Sequence, residues 1–360
     1  MRANVTVLAL HRHEGEPLEY EDAVWIGDGA GRGFLTPAGP ACRRARVDRP
    51  GALRVALADG AAESLLARRW AELLVRACGA APTPLLCGGT GFADVLARAA
   101  DRWPDLTRRY LVERDRRAMP VQPYELRKLT RGAHASAVLA AHLAPHPWLS
   151  GRGQWAAAVL GDAYLFQVRG DRLWRVFPTS RRMDVATSNG ADPEAVARRV
   201  RCARGTWTDR DLLYVANDTA GAWFLRTALA GGRPWEELRE PAASGPSELA
   251  RWVTARRRAG VLADGDLTLV RVEPTIGPPR MPVTSTSDAE PALAAEVPPA
   301  PPGPTTAGPR AGARWRSRAL DRRAEHVARA VIPPLSADSA TRMGVGPPAA
   351  RSHPHRLGRS

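Results

Sequence analysis

Short apolar runs alternate along this chain with longer stretches whose apolar residues return every three or four positions. The first pattern marks buried strands, the second amphipathic helices. Residues 5–10 (VTVLAL) read as a strand, and residues 20–26 (YEDAVWI) as its hairpin partner, reached through turn signals between Gly15 and Pro17. On such a strand Glu21 and Asp22 point to opposite faces. Residues 27–50 are crowded with Gly, Pro and Arg and read as a long loop. The chain is organised around 53–77 (LRVALADGAAESLLARRWAELLVRA). Its apolar opening is a strand ended by Asp59-Gly60, and Leu65, Leu66, Trp70, Leu73 and Leu74 fall at helical spacing over 61–77. Asp59 therefore stands where a strand gives way to a helix. There it either stops the strand and caps the helix, or supplies a carboxylate oxygen to a hard divalent cation. Gly60 would let such an ion approach its carbonyl.

Further along, 88–103, 105–117 and 124–131 predict helices. Residues 133–142 (AHASAVLAAH) and the run QWAAAVLGDAYLFQVRGDRLWRVFP predict three or four strands, with turns at Gly161-Asp162 and Gly170-Asp171. Residues 192–201 form a helix with Asp192 as N-cap and Pro193 following. Strands are expected at 202–207, 212–216 and 267–272, and helices at 219–230 and 247–258. From about Pro274 the chain turns Pro-rich (VPPAPPGP) and poor in large apolar residues, the composition of a disordered tail. Within it, 310–330 could form a short basic helix. The expected organisation is one domain over 1–274 and a tail over 275–360. With no strict βαβ alternation, the domain reads as an α+β layered fold with a largely antiparallel sheet core.

Composition narrows the partners. The formal net charge is +15, and Lys128 is the single lysine among 52 basic residues. No zinc-finger spacing or RNA-binding signature accompanies that charge, so nucleic acid is not expected. Cys42, Cys78, Cys87 and Cys202 include no CxxC pair. The apolar run at 5–10 is too short for a signal peptide, and no apolar stretch reaches a membrane span. A cytoplasmic protein with free thiols is expected, most simply a monomer. The GGTG at Gly88 lacks the GK[ST] of a phosphate loop and reads as a helix start. His134 and His142 have no further His or Cys at metal spacing and read as core or edge histidines.

The remaining chemistry lies in acids at element ends: Glu21, Asp22, Asp59, Asp162, Asp218, Asp264 and Asp266. Most directly follow or precede apolar strands, so they would gather at one edge of a sandwich. Carboxylates gathered there repel unless a cation neutralises them, and oxygen-only ligands favour magnesium or manganese over zinc. Two such ions sharing a carboxylate could activate water toward a phosphate ester. No convincing Ser-His-Asp or cysteine nucleophile competes with that reading.

In order, YEDAVWI, VALADGAAES, VLGDAYLF, LLYVANDTAGAWFL and ADGDLTLVRV resemble the successive motifs of the type 2C, metal-dependent serine/threonine protein phosphatases, in a divergent bacterial-type form. The resemblance spans about residues 4–273. It implies a four-layer αββα fold: a central antiparallel β-sandwich flanked by helices. It also implies two or three Mn2+ or Mg2+ ions, phosphorylated protein substrates and a cognate Ser/Thr kinase as partners. By the same resemblance Asp59 bridges the metals, Gly60 gives its carbonyl, and one of Glu21 and Asp22 orients water. Asp162 serves an additional ion, Asp218 holds the second metal, and Asp266 or Asp264 is the final acid. The departures are specific. Ala61 follows Asp59-Gly60 where the family commonly has His or Met, and Thr219 follows Asp218 where it has Gly. Aligned on Thr268, Gly265 falls at the last ligand position. Pro17 stands where some members hold the substrate phosphate with Arg, leaving Arg12 as a substitute. An active phosphatase, a degenerate phosphoprotein- or kinase-binding module, and a scaffold acting through the basic tail are the competing functions.

Overall fold

Full burial of successive apolar residues on both faces produces the strands at the centre of the domain. Leu53 to Ala58 is buried at every position, as is the run from Ala23 to Asp28. The computed structural model describes residues 1–12, 20–28, 32–36, 41–48, 51–180 and 184–276. These belong to the first of the chain's two units, Met1–Val283. The expected tail beyond 276, with its basic helix at 310–330, lies outside the described residues.

In chain order the elements are β1 (Arg2–Leu10), β2 (Ala23–Asp28), β3 (Gly33–Leu35), β4 (Ala41–Asp48), β5 (Leu53–Gly60), α1 (Ala67–Ala80), α2 (Gly89–Ala100), α3 (Trp103–Arg116) and α4 (Pro123–Arg131). They continue with β6 (His134–Pro145), β7 (Gly153–Gly161), β8 (Tyr164–Arg169), β9 (Arg172–Phe177), β10 (Ala186–Thr187), α5 (Pro193–Arg199), β11 (Arg201–Trp207) and β12 (Asp211–Ala216). The last are α6 (Asp218–Leu229), α7 (Pro234–Glu237), α8 (Arg239–Ser244), α9 (Pro246–Arg258) and β13 (Leu267–Thr275).

The strands form two antiparallel sheets. One has the order β4-β1-β13-β12-β8-β9; the other runs β11-β7-β6-β5-β2-β3, with β10 added against β6. Alternate residues of each strand feed different cores. Val5, Val7, Val55, Leu57, Leu139, Val215 and Val270 meet between the sheets. Ala56, Ala58, Val138 and Ala140 face the other way, onto α1, α2 and Trp103 of α3. Leu8, Phe166, Tyr214 and Leu269 face α6 to α9, with Trp223, Phe224 and Trp235. The result is an α+β fold in four layers, helices outside and antiparallel sheets within, as expected.

Three local expectations fail. β1 and β2 are not a hairpin. β1 pairs with β13 and β4, while β2 pairs with β5 and β3 in the opposite sheet. Tyr20, Glu21 and Asp22 therefore belong to the segment that enters β2 from the other sheet rather than to the strand itself. The stretch 27–50 is not one loop. It holds the end of β2, then β3 and β4; the last is an edge strand whose Arg43, Arg44 and Arg46 are exposed, which is why its pattern looked polar. Finally, α1 begins at Ala67, not Ala61, so Asp59 and Gly60 are the last residues of β5 and neither caps the helix.

The topology fixes where chemistry can gather. At one edge of the sandwich the first sheet presents the C-terminal ends of β1 and β12 and the N-terminal ends of β8 and β13. The second sheet presents there the start of β2, the ends of β5 and β7, and the start of β6.

Candidate metal centre

All seven acids singled out above lie within three residues of a strand end at this edge. Asp22 precedes β2, Asp59 closes β5, Asp162 follows β7, Asp218 follows β12 by two residues, and Asp266 immediately precedes β13, with Asp264 two residues earlier. Glu21 lies one residue before Asp22. Asp59 is in register with Ala137 of β6, and Ala137 with Gly161 of β7. Asp162 thus sits two strands away from Asp59, roughly 10 Å at ordinary strand spacing.

Asp22 is the most enclosed of the set, with none of its surface exposed. Its Oδ2 accepts from Thr268 Oγ1 at 2.5 Å and from Asn217 Nδ2 at 3.0 Å. Thr268 is held in turn by the Tyr20 hydroxyl at 2.5 Å. Asn217 is the N-cap of α6, its Oδ1 accepting from the Ala220 amide at 3.1 Å. The same side chain also donates to the Asp266 carbonyl at 2.8 Å. One asparagine therefore ties the start of α6, the approach to β13 and Asp22 together.

Asp59 owes its setting to an irregularity. The β5–β6 ladder shifts register between Asp59 and Gly60, so that Gly60 pairs with Ala135 and Ser136 is skipped. The Ser136 side chain hydrogen-bonds Asp59. Bulges of this kind re-aim side chains beside functional sites. Gly60 is required sterically, since a Cβ there would stand 2.7 Å from the Glu21 carbonyl oxygen, the segment that leads into Asp22. The absence of a side chain at 60 is what lets 20–22 cross over β5.

Electrostatics show how closely the acids are drawn together. Burial, then the charge of Asp266, pushes Asp22 up to about 7, with Asp218 adding to it. Burial, then the charges of Asp22 and Asp218, holds Asp59 well above the carboxylate range. Burial raises Asp266 as well. Asp22 and Asp59 lie within hydrogen-bonding reach of each other. Two buried carboxyls in contact cannot both ionise without a countercharge. Asp22 Oδ1 is also buried with no donor, an arrangement that costs free energy unless something else meets that oxygen.

The other acids are engaged differently. Asp266 Oδ1 accepts from the Arg12 amide at 2.8 Å and Oδ2 from the Glu21 amide at 2.9 Å. Asp264 is largely exposed and pairs with the Arg12 guanidinium at 3.5 Å. Gly265 lies between them with no side chain. From α9, Arg257 donates to the carbonyls of His11, Arg12 and Gly265, fixing the two loops against each other. Asp162 is buried.

The donor chemistry fits a hard divalent cation: carboxylate oxygens only, one of them buried and unmet. The count is short, however. Among the described residues no group of three or more His, Cys, Asp or Glu is arranged to hold an ion.

The helper residues Asn217, Thr268, Tyr20 and Ser136 are not singled out by sequence pattern. Two weak signals exist: Asn217 directly before Asp218, and Thr268 interrupting the apolar LTLV run of β13.

The chain's sandwich is similar to several solved phosphatase structures. One is RsbX in complex with magnesium, at 12% identity over 76% of this chain and 95% of that one, TM-score 0.42. Another is the Mycobacterium tuberculosis serine/threonine phosphatase PstP/Ppp, at 12% identity over 77% and 100%, TM-score 0.41. A third is the PP2C phosphatase domain of SpoIIE from Bacillus subtilis with a fragment of its regulatory domain, at 11% identity over 78% and 66%, TM-score 0.37. The likeness is one of fold. No family model matches the chain, and no curated protein does. Among the described residues no helix is long and apolar enough to cross a membrane.

Proposed function

We propose that residues 1–274 are a metal-dependent phosphoprotein phosphatase domain that hydrolyses phosphoserine and phosphothreonine. One observation carries this reading. Carboxyl groups from positions as distant as Asp22, Asp59 and Asp218 are drawn into one partly buried cluster that burial and mutual repulsion make unfavourable for charge. Such a cluster is costly to a fold unless a cation belongs there.

In this reading Asp59, the Gly60 carbonyl and Asp218 hold Mg2+ or Mn2+, with Asp162 and Asp266 at the margins. When bound, the ions supply Lewis acidity toward water and phosphoryl oxygens. Asp22 and Glu21 orient the attacking water, Asp22 kept in place by Thr268 and Asn217. Arg12, exposed at the rim of the cluster and paired with Asp264, would meet the phosphate dianion of a phosphoprotein. Partners would be phosphorylated proteins and the Ser/Thr kinase that opposes the enzyme.

A second reading has its own observation. Gly265 and the outward-turned Asp264 leave the cluster short of a carboxylate, which fits a domain that binds phosphoprotein without turnover. Hydrolysis of p-nitrophenyl phosphate and a phosphothreonine peptide with Mn2+ separates the two. Turnover that EDTA abolishes and Asp59→Asn removes supports the phosphatase. Phosphopeptide binding with no turnover supports the module, and activity undiminished in EDTA excludes the metal mechanism.

A further inference from the structure

The shortage of ligands has a local cause. A Cβ built on Gly265 would stand 2.6 Å from Thr219 Oγ1, so a side chain at 265 requires Thr219 to move. Gly265 is not among the glycines with positive φ, so its backbone conformation is open to other residues. The exclusion comes from Thr219 alone. That threonine is buried on the first turn of α6, and its hydroxyl donates to Asp218 Oδ1 at 3.1 Å. The neighbouring acids are turned to other partners: each Asp266 oxygen accepts from a backbone amide, and Asp264 faces Arg12.

We infer that Thr219 and Gly265 are a matched pair that replaces a carboxylate by a hydroxyl on the Asp218 side of the centre, leaving a site for a single divalent cation. This rests on the metal-centre reading above and narrows it. The hydroxyl satisfies Asp218 Oδ1 with a neutral group. An acid in the same place would instead add a negative charge facing Asp218, which only a second cation would make tolerable. The vacant side chain at 265 and the filled one at 219 are thus two halves of one substitution: changing Thr219 opens the space, and changing Gly265 supplies the carboxylate.

The pair can be reversed. In Thr219→Ala/Gly265→Asp the oxygen at 2.6 Å is gone, and the nearest remaining atom of that side chain, Cβ, would lie at 3.8 Å, an ordinary contact. Titration of the full chain with Mn2+ alone, followed by the loss of the free-ion EPR signal, counts bound ions without reference to activity. The expected result is about one ion for the wild type and about two for the double variant, with Gly265→Asp alone gaining none. Thr219→Gly/Gly265→Asp repeats the test with more room. Two ions in the wild type, or a folded double variant that stays at one, would overturn the inference while leaving a metal-dependent centre standing. No ion in the wild type or in either double variant would overturn the metal-centre reading itself, and this inference with it.

Discussion

The hydroxyl of Thr268 lies 2.5 Å from Asp22 Oδ2, and the two residues are 246 positions apart in the chain. Neither exposes any surface. With Tyr20 donating to it from the other side, this hydroxyl is the middle of a buried relay from Tyr20 to Asp22. Removing it leaves two polar groups with no water to turn to. Thr268→Val, nearly isosteric, should therefore cost about 2 kcal/mol in urea unfolding, the penalty for orphaned buried groups. Thr268→Ser should recover most of that loss. Equal stability of Val and wild type would show that the relay contributes nothing.

Arg54 is buried within β5, yet its guanidinium is not idle. It donates to the Gly79 carbonyl at 2.8 Å, to those of Cys78 and Ala81, and to Thr83 Oγ1 at 2.9 Å. These carbonyls close α1, whose last turn carries no basic residue of its own. A cation at the negative end of the helix satisfies acceptors that would otherwise be orphaned. Arg54→Met keeps the stem and removes the donors. It should cost about 2–3 kcal/mol in chemical denaturation, the penalty for leaving buried carbonyl acceptors unmet. Arg54→Lys should recover only part, since one ammonium cannot reproduce the fork.

The outcome for the fold follows from how each strand is buried. β5, β6, β7, β12 and β13 could be read from sequence because both faces are largely covered and most of their residues are apolar. β3 and β4 could not: one is three residues with Gly33, and the other is an edge strand bearing three exposed arginines. The β1–β2 hairpin failed for another reason. Adjacency in sequence suggested pairing, but β1 takes its partner from β13, more than 250 residues away, and no local pattern records that. At the site the acids announced themselves by following apolar runs. Asn217 and Thr268 did not, because a buried polar residue inside a strand or at a helix start looks like any cap or any β-branched residue. The register slip that places Ser136 beside Asp59 left no mark in HASAVL at all.

His142 stands directly across from Arg54 on the neighbouring strand. Burial, with the Arg54 charge added, lowers its pKa from 6.5 to about 4. The sign follows. Between those values the unfolded chain binds a proton that the folded one refuses, so stability is full above 6.5 and lost as pH falls toward 4. A shift of that size corresponds to about 3 kcal/mol, reduced to about 2 because the imidazole is partly solvated. In urea titrations from pH 7 to 4.5, the wild type should lose about 2 kcal/mol more than His142→Gln. Parallel losses in the two proteins would place the acid sensitivity elsewhere.

Asp264 and Asp59 separate a charge at the rim from one inside the cluster. The Asp264 pair with Arg12 is made by two side chains that are each more than half exposed, an arrangement typically worth less than about 1 kcal/mol. Its removal should leave the fold unchanged and should not alter the charge that a cation meets, since Asp22, Asp59 and Asp218 act on one another without it. Asp264→Ala is therefore expected to bind Mn2+ within about twofold of wild type, and Asp59→Asn to lose more than about 100-fold, beyond the 10–100-fold usual for residues that only support a ligand. Both are read by isothermal titration of the full chain. A large loss in Asp264→Ala would mean that the loop before β13 swings inward when an ion binds. Gly265 would then not be the break in the ligand set, because the acid beside it would have taken over that place.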